Sequence, residues 1–177
     1  MKKEIAYWQV VGFVFTTVVG TLLHFFFDWS GGVLTAALFS AINESIWEHL
    51  KLLYYPMLVF ALAEWLYWGK KTEGFWCIKL IGILLGLAVI VVVYYTYTGA
   101  LGMSADWFNI ALFFFAAGVA FWLETKLFQR NFSCPVSRKL SLFLIGLVAV
   151  AFTVFTFLPP RIPLFQDPVN GSYGFFS

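Results

Sequence analysis

The residues best equipped for chemistry form one run, Asn43-Glu44-Ser45-Ile46-Trp47-Glu48-His49-Leu50-Lys51, in an otherwise strongly apolar chain. An ionisable group within a membrane costs about 2.5–3.5 kcal/mol on insertion scales, so carboxylates, imidazole and ammonium packed this densely call for mutual pairing or water. If one helix runs through the segment, Glu44, Glu48 and Lys51 share a face at i, i+4 and i+7, and His49 sits about 100° from Glu48. His24 and Asp28, also i, i+4, share a face of an earlier segment, so both histidines of the chain fall near this acidic cluster. Glu44 or Glu48 could serve as a general base with His49 beside it, provided a substrate proton comes within hydrogen-bond reach. A divalent metal would need His and carboxylate ligands to converge; His24, Glu48 and His49 are the candidates. The run lacks the H-E-x-x-H order of zinc proteases, and the inverse order fails because Ser45 stands in its first position. Structural roles stand beside these. Glu48 suits a helix N-terminus, Glu44 and Lys51 a surface ion pair, His24 a bond to a backbone carbonyl, and Asp28 a turn before Ser30-Gly31-Gly32.

The elements that must position these groups are helices in lipid. Of the 177 residues, 62% are hydrophobic and 11% charged, with 22 Phe; a soluble domain is about 45–50% apolar and about 25% charged. A formal net charge of +2 gives no ground for a nucleic-acid partner. About 20 apolar residues cross the hydrocarbon core as a helix, and backbone in lipid must satisfy its own hydrogen bonds. The expected fold is therefore all-α: one polytopic membrane domain over residues 1–177. Its spans are expected at about 7–27, 50–69, 75–98, 107–128 and 140–158, with Pro56 a kink point in the second. The first apolar run is longer than a secretory h-region and no small-residue cleavage site follows, so it reads as a retained span.

Lys and Arg favour cytoplasmic flanks. With five spans and a cytoplasmic N-terminus, all of the 11 Lys and Arg except Lys51 and Arg161 fall on that side, Lys79 included. This frame places the protein in the plasma membrane with an extracytoplasmic tail at 159–177. Cys77 and Cys134 then face a reducing compartment, where a structural disulfide is not expected. The tail, with Pro159-Pro160 and Asp167-Pro168-Val169-Asn170-Gly171, reads as extended chain and a turn that pack over the outer mouth.

Residues 31–69 are too long for one span and too short for two with a loop. Residues 33–42 read as a short re-entrant or interfacial helix, and Ser45-x-x-Glu48 matches a capping box that starts a new helix. Broken helices at membrane depth expose backbone ends, which must be buried in protein or line a wet cavity.

The run Asn43–Leu53 with the following Pro56 resembles the signature of a family of small bacterial multi-spanning membrane proteins of unknown function. The tail from Pro159 to Gly174 is similar to that family's C-terminus. The resemblance implies a histidine where this chain has Arg161, hence one metal ligand fewer here; it implies no activity or catalytic residue.

The expected function is binding or transport of a cation or small polar ligand. An outward-facing pocket would be lined by His24, Asp28, Asn43, Glu44, Glu48 and His49, with Lys51, Arg161 and Asp167 completing it. A membrane-embedded hydrolase or transferase using a Glu/His pair or a divalent metal is the second reading, and a structural subunit the third. The lipid bilayer is the expected partner in each.

Overall fold

Six helices account for most of the chain in a computed structural model that describes residues 2–176. They are α1 (Lys2–Trp29), α2 (Leu34–Ala37), α3 (Ile46–Tyr67), α4 (Phe75–Leu101), α5 (Asp106–Gln129) and α6 (Arg138–Phe157). Met1 and Ser177, the last residue of the expected 159–177 tail, lie outside the described residues. Four helices, α1, α4, α5 and α6, are long and apolar enough to cross a membrane.

α1 shows how composition becomes packing. Val10, Val14, Val18 and Leu22, spaced by four, form an exposed apolar stripe, while Gln9, Gly12, Thr16 and Gly20 are buried. The usual polarity of a soluble helix is reversed: small and polar residues face the protein, branched aliphatics face out. Small residues let helices approach closely where the solvent is lipid. A Cβ on Gly20 would lie 2.5 Å from the Leu52 carbonyl oxygen of α3, so only glycine permits that approach.

α3 packs against α1, α4 and α6. It is 22 residues long and buries eleven of them, Glu48, Lys51 and Glu64 among them. Those charges keep it out of the class of apolar spanning helices, although at about 1.5 Å per residue it is long enough to cross. α3 runs through Pro56 without interruption. Tyr54, fully buried, donates its hydroxyl proton to the Ile145 carbonyl of α6 at 2.7 Å.

Between α1 and α3, residues 33–42 hold only one helical turn, α2, followed by turns and bends. Beyond α6 the tail forms a 3-10 turn at Pro163–Phe165 and an isolated bridge between Gln166 and Tyr173. α2 and the tail lie at the same end of the bundle as the motif, since Phe165 packs on Trp47 at 4.8 Å and Phe175 N–H donates to the Thr156 carbonyl. At the far end, the α5–α6 connection folds over the start of α4. Cys77 and Cys134 form a disulfide with a Cα–Cα distance of 6.3 Å. This corrects the expectation of two unpaired thiols. Compartment argues only about redox poise, whereas here Gly74 lets Cys134 approach, a Cβ at that position lying 3.2 Å from the Cys134 Cβ.

Candidate functional site

The break between α2 and α3 decides where each motif residue points. Ser45 is the N-cap of α3, its side chain accepting from Glu48 N–H at 3.4 Å. Asn43 Oδ1 accepts from Ser45 N–H at 3.0 Å, fixing the preceding turn. The helix thus begins at Ile46, and Glu44 is not on it. The common face expected for Glu44, Glu48 and Lys51 on a continuous helix does not form, and the two glutamates go to different surroundings.

Glu48 points inward. With Lys51, one turn on, it forms an ion pair of 2.5 Å between side chains 2% and 0% exposed. Each charge also closes a backbone end left by the break. Glu48 Oε2 accepts from Ile42 N–H at 3.2 Å. Lys51 Nζ donates to the Ala37 carbonyl at 2.8 Å, at the C-terminal end of α2. Thr156 of α6 bridges the pair, donating to Glu48 Oε1 at 2.8 Å and accepting from Lys51 Nζ at 3.0 Å. The capping box is therefore half realised: the serine caps, but the glutamate side chain binds Ile42, Lys51 and Thr156. A carboxylate so engaged holds the fold together and is a poor general base.

Glu44 turns outward, toward both histidines. Its carboxylate lies 3.4 Å from His49 Nε2 and 3.9 Å from His24 Nε2, and the two imidazole rings are 5.2 Å apart. One ligand atom from each of the three can be chosen so that all lie within 4.8 Å of one another. His49 Nδ1 donates to the Ser45 carbonyl at 2.9 Å. A carbonyl only accepts, so Nδ1 carries a proton, and it is Nε2 that faces the cluster, with a lone pair to offer in the neutral imidazole. Orientation of a ligating imidazole by a bond from its other nitrogen is the usual outer-shell device at metal sites. The Glu44 side chain is half exposed and the histidines about 30% exposed, so the cluster opens to its surroundings. Phe27 N–H donates to the fully buried Ser40 hydroxyl at 2.9 Å, tying the end of α1 that carries His24 to the broken segment.

The remaining expected residues divide. Asp167 is 3% exposed; it accepts from Val169 N–H at 2.8 Å and from Glu44 N–H at 3.4 Å, pinning the tail turn to the motif. Asp28 and Arg161 are exposed, and neither makes an ion pair among the described residues. Two apolar grooves, of about 320 and 410 Å³, open on the flanks of α6 and contain none of the three clustered groups.

A second ionisable cluster, at the far end, lies among residues that sequence reasoning passed over. Lys79 of α4 pairs with Glu64 of α3 and with Glu124 of α5, the latter at 2.5 Å. Gln9 of α1 donates to Glu64 Oε1 at 2.7 Å. Lys79 is thus an interior residue and not one of the cations flanking a span. The signal available was an isolated acid within an apolar helix, at Glu64 and Glu124, and such an acid is a functional candidate by default.

Compared with known proteins, residues 1–175 match the model of a family of unknown function, DUF6512. No curated protein and no solved structure matches.

Proposed function

The chain belongs to DUF6512, a family of unknown function, and from its own chemistry we propose a membrane protein that binds a divalent transition-metal ion at His24, Glu44 and His49. The observation that carries this is the convergence of two imidazoles and one carboxylate, with His49 Nε2 already turned toward Glu44. Zinc takes nitrogen at about 2.0–2.1 Å and carboxylate oxygen at about 2.0–2.2 Å. Ligand atoms around a tetrahedral ion then sit about 3.3–3.6 Å apart. The 3.4 Å from Glu44 Oε2 to His49 Nε2 already suits this. The 3.9 Å to His24 runs to the other carboxylate oxygen, Oε1, and with the three ligand atoms within 4.8 Å of one another the side chains must draw together on binding. Three ligands leave a position open for water or a passing ligand, as sites that exchange or activate what they bind require. That open position is also the ground for the hydrolase reading, in which Glu44 acts as ligand or base while Glu48 stays in its ion pair.

Calorimetric titration of the chelator-stripped protein with Zn²⁺ is expected to give one site per chain, weakened at least tenfold by His49→Ala or His24→Ala. Glu48→Gln is expected to leave the stoichiometry unchanged. Equal binding by wild type and His49→Ala would remove the site.

Topologically, the proposal is five crossings, with α3 as the second span, its charges paired inside the bundle, and α2 as a re-entrant turn. The N-terminus is cytoplasmic, because Lys70, Lys71, Lys126, Arg130 and Lys139 flank the same end as Lys2 and Lys3. The metal cluster and the tail then face outward, in the plasma membrane. Alkaline phosphatase fused after the tail in a bacterial host is expected to be active, and fused in the α3–α4 connection inactive; the reverse pattern would invert the orientation.

A further inference from the structure

The far-end cluster stands independently of the metal reading. Its four polar side chains come from four helices: Gln9 of α1, Glu64 of α3, Lys79 of α4 and Glu124 of α5, none more than 2% exposed. The rings of Phe75, Phe121 and Phe128 lie 5.6–5.8 Å from the Lys79 ammonium and close the space around it. The nearby cations are directed elsewhere: Arg138 of α6 and Lys70 both lie over the Trp65 ring, 5.2 Å from its centroid.

Two features of this arrangement point to something added. The first is charge: with every group ionised, two carboxylates face one ammonium, leaving a net negative charge in a sealed apolar interior, where an unpaired charge is strongly disfavoured. The second is hydrogen bonding. Glu124 Oε1 and Gln9 Oε1 are buried acceptors with no donor among the described residues. The cluster is one positive charge and at least one donor short. Glu124 is seated against Gly82, its carboxylate occupying the space a Cβ there would take. The absent side chain of Gly82 is the seat of the acid.

We propose that Glu64 and Glu124 hold one proton between them, opposite Lys79, as a proton-binding site buried in the helix bundle. One proton passes from a hydronium ion to a carboxylate oxygen: an O–H bond of hydronium breaks, an O–H bond to the carboxylate forms, a water molecule is released and the cluster becomes neutral. A proton supplies both the missing charge and the missing donor, and unlike a hydrated ion it needs no cavity. The two acids and the lysine opposite them sit on three different helices, so movement of α3, α4 or α5 relative to the others changes the hold on that proton. The site thereby links proton uptake and release to the packing of the bundle.

Infrared difference spectroscopy in dodecyl maltoside, which has no carbonyl of its own, tests this at neutral pH in sodium-free potassium buffer. A protonated-carboxyl C=O band that shifts in D₂O is expected in the wild type and in Glu44→Gln. It is expected to vanish in Glu124→Gln and equally in Glu64→Gln, because removing either acid balances Lys79 without a proton. Absence of the band in the folded wild type, or its survival in both variants, would overturn the proposal. So would a band that disappears when Na⁺ is added, since sodium would then be the compensating charge.

Discussion

Lys51→Met is expected to destabilise the protein by about 3–5 kcal/mol in reversible unfolding by sodium dodecyl sulfate, the usual cost of removing one partner from a buried ion pair. Glu48→Gln is expected to cost a comparable amount, because it leaves the Lys51 ammonium buried without its counter-charge. The double variant should recover much of either loss, since neutral groups of similar volume often replace a buried pair at little cost. A coupling of about 2 kcal/mol or more in that cycle is the expected reading, as residues sharing one network do not add independently. The recovery will be incomplete for a reason visible in the contacts. Methionine cannot donate to the Ala37 carbonyl as Lys51 does at 2.8 Å. Glutamine can still accept from Ile42 N–H, as Glu48 does at 3.2 Å. A double variant as unstable as the sum of its parts would mean that the pair is incidental and the backbone contacts alone hold the break.

This expectation follows from a physical division within the motif. A broken helix leaves carbonyls at one end and N–H groups at the other without partners. Here charged side chains answer those needs: an ammonium for a carbonyl of α2, a carboxylate for the N–H of Ile42. The pairing of the two with each other offsets the cost of burying both. Trp47 then anchors the tail through Phe165, with Phe152 of α6 also 4.8 Å from its ring, so the motif and the C-terminal segment meet as one structural unit. Glu44 and His49, spared from these duties, form the metal-competent face with His24.

Much of the helical framework was legible because length and apolarity alone report helices of about 20 residues. The break was legible too, from Ser45 as a cap and from residues 31–69 being the wrong length. What could not be read was which glutamate turns in. On an uninterrupted helix Glu44 and Glu48 lie one turn apart on one face, and only the termination at Ser45 separates them. Sequence therefore placed both glutamates in one pocket with the histidines and named Glu48 as the metal candidate, while the structure brings Glu44 alone to them. Thr156 carries no local signal; it matters because α6 ends beside the break, 105 residues from Lys51. The far-end cluster was hidden for a similar reason. Glu64, Lys79 and Glu124 are single charges on separate helices, and a lone lysine near a helix end usually reaches back to the membrane surface. Lys79 does not, because Glu64 and Glu124 meet it inside. The disulfide shows the converse failure, where a general rule about compartments displaced a question about distance.

The largest loss of all is expected from Lys79→Met, which leaves Glu64 and Glu124 facing each other with no counter-charge in a box of aromatic rings. The cost should be at least the about 3–5 kcal/mol of a single broken pair, because the carboxylate of the proton-sharing pair loses its counter-charge in a fully buried site and both acids lose the Lys79 ammonium as a donor. In practice this variant is expected to yield little folded protein. Adding Glu64→Gln and Glu124→Gln to it should restore folding, since the triple variant buries no charge and amides retain hydrogen-bonding capacity. The single acid variants are expected to fold well, because Lys79 keeps one carboxylate in either. Fluorescence size-exclusion chromatography of the five proteins, wild type included, reads this pattern directly. The asymmetry is the point of the test: an ordinary network of two salt bridges predicts that losing either acid harms the protein about as much as losing half the lysine's contacts. A cluster with one negative charge too many predicts that an acid can be removed nearly for free while the lysine cannot. Stable Lys79→Met protein, or acid variants that fail alongside it, would show that charge balance does not govern this end of the bundle.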